Sequence, residues 1–200
     1  RAELALEGRV FTGAFAAAGG VMPIYSNTTK QFGLWNPAGS DRIAEIFEIG
    51  LGSYVDTTGA AGGYVLGILK NAPAQLATGA SITAFTETTP DNSIQTITGG
   101  NKVKFAQGAT ITVTAPSLYR HLHINQSAYT AAGTAEWPKK GPVAEFPDRT
   151  LWVPPGVAIF LAGNIATLAK FAPQVVWGEH DYPVDEPKIP EVNQDGVTLD

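Results

Sequence analysis

The chain has 200 residues, 44% of them apolar and only 16% charged, enough for one sizeable β domain and well short of the usual quarter of charged positions. A formal net charge of −5 argues against a protein that binds nucleic acid by neutralising phosphates. The absence of cysteine excludes disulfides and thiolate metal sites, and no apolar run is long enough for a membrane-spanning helix. The charge is uneven: Pro183 to Asp200 holds five carboxylates (Asp185, Glu186, Glu191, Asp195, Asp200) against Lys188, a net −4, so the rest is close to neutral. A chain that starts at Arg1 reads as processed or trimmed.

In chain order, a short helical stretch over Ala2 to Gly8 leads into an Ala- and Gly-rich run, and residues 1–20 read as an N-terminal arm. From residue 21 to 182 short runs of alternating apolar and polar residues are punctuated by turn residues, the pattern of an antiparallel β-sandwich. Strands are expected at Val21–Ser26, Phe32–Asn36, Ile43–Val55, Gly63–Lys70, Ile82–Thr86, Lys102–Phe105, Ala109–Ala115, Leu118–Ile124, Val157–Leu161 and Gln174–Glu179. Ala109–Ala115 is the clearest: Ile111 and Val113 leave one face, Thr110, Thr112 and Thr114 the other. Asn36-Pro37-Ala38-Gly39, Pro90-Asp91-Asn92, Gly99-Gly100-Asn101 and Pro154-Pro155-Gly156 carry turn chemistry. Ile165–Phe171 is open between helix and strand. Residues 127 to 147, with Trp137-Pro138-Lys139-Lys140-Gly141-Pro142, read as a long loop, and 183–200, with three prolines, as an extended acidic tail.

His121 and His123 lie two apart on a predicted strand with Tyr119 beside them, so alternation sends both imidazoles to one face, a workable geometry for metal ligands. The pair, with Pro154-Pro155-Gly156, resembles the cupins, a jelly-roll family. The glutamate and third histidine of that pattern fall on Ser127 or Ala128 and on Ile159, so the plainer reading is a polar strand face near a loop or interface, and no metal is expected. His180, between Glu179 and Asp181, reads as a partly solvated histidine rather than a catalytic one. Trp152 and Trp177 read as core. Trp137, beside Lys139 and Lys140, is the best candidate for an exposed contact residue, on a protein or a sugar. No phosphate-cradling or nucleophile-elbow motif is present, and no enzyme activity or cofactor is expected.

Three stretches together carry a family resemblance: Phe32-Gly-Leu-Trp-Asn-Pro-Ala-Gly-Ser40 followed by a long strand, Gly62-Gly-Tyr-Val-Leu-Gly67, and Leu151-Trp-Val-Pro-Pro-Gly-Val-Ala-Ile-Phe-Leu-Ala-Gly163 followed by Gln174-Val-Val-Trp-Gly-Glu179. This order resembles small jelly-roll virion proteins of tailed bacteriophages, of the decoration, cement or fibre type. The resemblance implies a homotrimer on the external surface of a capsid or fibre, with the major capsid protein or other virion proteins as partners and neither nucleic acid nor membrane bound. Contact residues are then sought at Trp137, Lys139, Lys140, Tyr119, His121 and His123. The alternative is a carbohydrate- or receptor-binding β-sandwich.

Overall fold

The structure is a computed structural model that describes residues 2–15, 19–20, 22–53, 62–69, 81–85, 90–92, 100–114, 116–125, 144–145, 151–165 and 171–182. A helix, α1 (Ala2–Leu6), precedes the strands β1 (Val10–Ala14), β2 (Thr29–Asn36), β3 (Arg42–Ser53), β4 (Gly62–Leu69), β5 (Ser81–Phe85), β6 (Asp91–Asn92), β7 (Lys104–Thr114), β8 (Ser117–Asn125), β9 (Ala144–Glu145), β10 (Trp152–Val153), β11 (Val157–Gly163) and β12 (Phe171–Asp181). They form two antiparallel sheets. One, sheet A, runs β10-β3-β12-β1-β6, with β9 also paired to β3; the other, sheet B, runs β5-β7-β2-β11-β4-β8. The protein is an all-β sandwich.

Period-two alternation decides what lies between the sheets, except on β3, where a register shift leaves Phe47 unmatched on β12 and brings both Ile46 and Ile49 inward. Phe32 and Leu34 of β2, Ile46 and Ile49 of β3, Ile159 and Leu161 of β11, and Val175 and Trp177 of β12 share one buried cluster. Aromatic side chains bridge the layers: the Phe105 ring of sheet B lies 6.0 Å from Trp177, and Tyr64 of sheet B 4.4 Å from Phe171. Each such fully buried side chain contributes about 1.5–3 kcal/mol. The void between the sheets is lined by apolar residues such as Phe32, Ile49 and Val175. With no polar group to hold even one water, it is a packing gap rather than a ligand site.

β11 is buried at every position. Its second face packs outside sheet B, where Ala158 and Phe160 join Leu69, Ala106, Ile111 and Val113, with Tyr25 and Trp35 against them. Tyr25 supplies part of the cover of this face. Tyr25 stacks on Phe160 with centroids 6.4 Å apart, and its hydroxyl donates to the Pro116 carbonyl at 3.0 Å. Lys30, fully buried, passes over the same rings, its Nζ 5.3 Å from the Phe160 centroid and 5.5 Å from that of Tyr25. Its ammonium donates to the carbonyls of Tyr25 at 2.7 Å, Ile24 at 3.3 Å and Asn27. A register shift between Lys30 and Phe32 breaks the alternation that would otherwise send Lys30 inward with Phe32 and Leu34.

Three sequence expectations are corrected. Residues 10–14 do not belong to an N-terminal arm: they are β1, paired with β12 over its whole length and with β6 at Phe11 and Thr12. Phe11 stacks on Trp177 at 5.7 Å, so the strand is held by the core. The described residues 22–26 of the expected strand Val21–Ser26 form no strand. Pro23 lacks an amide proton, only Ile24 bridges to Gly163, and residues 25–28 turn around the Lys30 ammonium. Lys102–Phe105 and Ala109–Ala115 are not two strands either: β7 is continuous, and the surplus residues are absorbed at the register shift opposite β2.

One end of the sandwich is organised by Asn36. Fully buried, its Nδ2 donates to the carbonyls of Arg42 and Val153, both at 2.8 Å, while Ser40 Oγ donates to its Oδ1. The Gly156 amide donates to the Asn36 carbonyl at 2.8 Å. Gly39 closes the turn at φ 81°, where a side chain would be strained. The pairs Arg42↔Asp181, Asn36↔Val157, Ala158↔Leu69 and Ile68↔Ser117 bring the start of β3, the end of β12, the starts of β8 and β11 and the end of β4 to this same end.

Candidate functional site

Polar chemistry concentrates around the end of β12. Glu179, His180 and Asp181 are adjacent in sequence, yet the strand aims them three ways. Glu179 turns inward, is 2% exposed, and accepts the amides of Lys102 at 2.9 Å and Val103 at 3.0 Å and the Trp177 indole N–H at 3.3 Å. It pins the segment that feeds β7 to the opposite sheet. Burial pushes its carboxyl above the ordinary range, opposed by those three hydrogen bonds and by Arg42. Asp181 accepts from Arg9 at 2.8 Å and pairs with Arg42, and Arg9 also meets Glu7 at 3.2 Å. These are surface pairs, worth little individually.

His180 faces the outer side of sheet A. Its Nε2 is 2.7 Å from Glu45 Oε2, and the Trp152 ring lies 5.1 Å from the imidazole at 50°. Glu45 is 2% exposed. Nearby, α1 covers the sheet, with Leu4 and Phe47 filling the space a side chain at Gly178 would need. The arrangement is a histidine–carboxylate pair under an indole. Among the described residues no group of three His, Cys, Asp or Glu side chains is placed to share a metal ion.

β8 carries the sequence-derived candidates Tyr119, His121 and His123. As the outermost strand of sheet B it pairs with β4, but with two register shifts: Val65↔His121 follows Tyr64↔His123, and Gly67↔Leu118 follows Leu66↔Arg120. Leu122 and Tyr119 are therefore surplus residues on β8. The first shift falls between the two histidines, so simple alternation no longer decides whether they share a face. The second puts neighbouring side chains into solvent together: residues 117–121 are all exposed, Leu118 at 50% and Tyr119 at 44%. Trp137, Lys139 and Lys140 lie outside the described residues, as do most of the expected 127–147 loop and the whole 183–200 tail; Ala144–Glu145 of that loop pairs with β3 as β9. Trp177 is core as expected, whereas Trp152 is only half-buried, on the outer face beside His180.

Compared with protein-family models, with curated proteins and with solved structures, the chain matches none.

Sequence reasoning missed Glu45 and Lys30. The available signal for Glu45 was a carboxylate within the apolar strand Ile43-Ala-Glu-Ile-Phe47; for Lys30, an aromatic residue, Tyr25, five positions earlier.

Proposed function

We propose that this chain is a non-enzymatic structural subunit of a bacteriophage particle, a jelly-roll protein that decorates or cements a capsid or builds a fibre, and that it acts as a homo-oligomer with three copies as the leading stoichiometry. The observation that carries the jelly-roll part of the reading is strand order. Set aside β5, β6 and β7, which intervene between β4 and β8. What remains is β1-β12-β3 with β9 and β10 on one side, and β2-β11-β4-β8 on the other. Successive strands alternate between sheets from β1 to β4, pair within one sheet at β4 and β8, and alternate again to β12. With β9 and β10 taken as one, because both pair with the edge of β3 that β12 leaves free, that path fits eight strands wound as two Greek keys.

The same architecture serves capsid proteins, lectins and cupins, so the functional choice rests on the sites. Ile159, where the cupin pattern needs its last histidine, lies in the core between the sheets at 4% exposure. The charge-poor surface, the exposed Leu118 and Tyr119 on an outermost strand, and the sequence resemblance favour an assembling subunit.

Light scattering on the purified chain tests the reading. A stable species near three times 21.0 kDa is expected. A monomer at every concentration, with a thermal transition that shifts on adding sugars, would instead select the carbohydrate-binding module.

A further inference from the structure

Among the described residues Lys30 is the one fully buried cation, and no described carboxylate pairs with it. An ammonium withdrawn from water without a counter-ion is costly unless its donors are met. Here all three N–H groups have acceptors: the carbonyls of Tyr25 at 2.7 Å, Ile24 at 3.3 Å and Asn27. The rings of Phe160 and Tyr25 face the same nitrogen, with centroids at 5.3 and 5.5 Å, close enough for attraction between a cation and an aromatic face. Three carbonyls and two ring faces match a primary ammonium head group, with its three donors and one positive charge.

The surroundings are held by bonds in which the Lys30 side chain takes no part. Ile24 bridges to Gly163, and the Tyr25 amide donates to the Gly163 carbonyl at 2.7 Å. The Tyr25 hydroxyl donates to the Pro116 carbonyl at 3.0 Å. Within the turn the Asn27 amide donates to the Ile24 carbonyl at 2.9 Å, and the Thr29 amide to Asn27 Oδ1 at 2.9 Å. The Val113 amide donates to the Thr28 carbonyl at 2.7 Å, tying the turn to β7. Phe160 is fixed by the pairing of β11 with β2 and β4 on either side. With the lysine stem removed, the carbonyls and rings therefore stay in place around the space it leaves, because packed surroundings relax only partly into a cavity.

We propose that the turn over residues 24–27 and the rings of Tyr25 and Phe160 form a binding site for a primary alkylammonium group, and that Lys30 is its built-in occupant. Emptied by Lys30→Ala, the site takes a free primary ammonium from solution, as a cavity left by a core truncation takes a small ligand of matching shape. Propylammonium supplies the atoms that this substitution removes, the outer stem and the head group. Other solutes carry only part of that chemistry. Tetramethylammonium has the charge but no N–H for the carbonyls, potassium has neither N–H nor stem, and propanol has the stem without the charge.

The test follows thermal unfolding of Lys30→Ala and of the wild-type chain at pH 7 with increasing propylammonium chloride, and with tetramethylammonium, potassium and propanol as comparisons. The variant alone should gain from propylammonium, saturably, by about 3–6 °C at a tenfold excess over half-saturation. A folded variant that responds no more than wild type overturns the site. An equal gain with tetramethylammonium overturns it too, because the carbonyls would then play no part. An equal gain with potassium replaces the ammonium site by a carbonyl cage for metal cations. A second measurement needs no variant and decides the matter if Lys30→Ala does not fold. In the nitrogen-15 spectrum of the wild-type chain, the Lys30 ammonium should exchange its protons slowly, and its neighbouring methylene should be shifted by the two rings. A Lys30 signal that exchanges and resonates like those of solvated lysines overturns the proposal.

Discussion

The imidazole of His180 and the carboxylate of Glu45, 135 residues apart in sequence, meet at 2.7 Å across neighbouring strands of sheet A. Glu45 is almost wholly withdrawn from water, so the contact compensates a charge whose desolvation is otherwise costly. His180→Ala should lower the unfolding free energy by about 1–3 kcal/mol, measured by urea titration at neutral pH. Glu45→Gln on its own should cost less, and in the double variant the two losses should fall short of adding. Full additivity would mean that the two side chains do not interact.

Glu179 makes a prediction about pH. Its folded pKa is raised by burial, so the folded state holds the proton at a pH where the unfolded state has released it. Stability from this group therefore falls as pH rises through the window from the ordinary carboxyl value to the raised one. Wild type should gain stability on acidification within that window, and Glu179→Gln should not, so the difference between them widens as pH falls from neutral. Parallel curves would show that Glu179 does not titrate differently in the fold.

Lys30 acts in the opposite pH range. Burial lowers its ammonium from 10.5 to about 8, so between these values the unfolded state binds the extra proton and stability rises with pH. The rise is at most about 3 kcal/mol, reduced by whatever the three carbonyls and two ring faces give back to the charged form. Lys30→Met should abolish the rise. It should also destabilise the protein at neutral pH by about 1–3 kcal/mol, because buried carbonyls lose their donor. Urea unfolding from pH 7 to 10 reads both effects.

Asn36→Ala should be among the most damaging polar truncations. It strips donors from the Arg42 and Val153 carbonyls and removes the acceptor of Ser40, a loss of about 2–4 kcal/mol. Asn36→Asp keeps the shape but not the two N–H donors, and should be equally poor. A cost below about 1 kcal/mol would mean that water replaces the amide at this end.

Gly67 faces the Phe160 ring so closely that a Cβ there would fall within it. Gly67→Ala should cost about 1–3 kcal/mol through overpacking, and Phe160→Leu in the same chain should relieve part of that cost. The check is the coupling energy from thermal or urea unfolding of the four proteins in the cycle.

The fold was legible wherever one strand face is wet and the other dry. Ile111 and Val113, Val175 and Trp177, and the all-apolar run of β11 announced themselves by alternation or its absence. β1 did not, because Val-Phe-Thr-Gly-Ala is short, contains a glycine and runs into alanines; the Phe105 ring occupies the space that a side chain at Gly13 would need. Bulges were equally silent: nothing in Tyr-Arg-His-Leu-His reveals that Tyr119 and Leu122 lack partners on β4. The polar partnerships were out of reach for a simpler reason. Alternation tells which face a residue takes, not which strand lies beside it, so Glu45 with His180, Asn36 with Val153 and Glu179 with Val103 required the three-dimensional register.

The pairing of β1 with β12 has a mechanical consequence. The two strands are antiparallel neighbours, with Val10 opposite Gly178 and the Arg9 carbonyl accepting from the Glu179 amide, so the chain enters and leaves the sandwich side by side. A pull applied between residues 9 and 181 would not shear the ladder against all of its hydrogen bonds at once. It would open the ladder like a zip, one pair at a time from the Glu179 end toward Gln174, and the first strand to detach would take Phe11 off Trp177. Tension delivered through the two chain ends meets the sandwich along its weakest direction, whereas a load carried across the sheets from the outer edge of β8 would meet the packed rings between them.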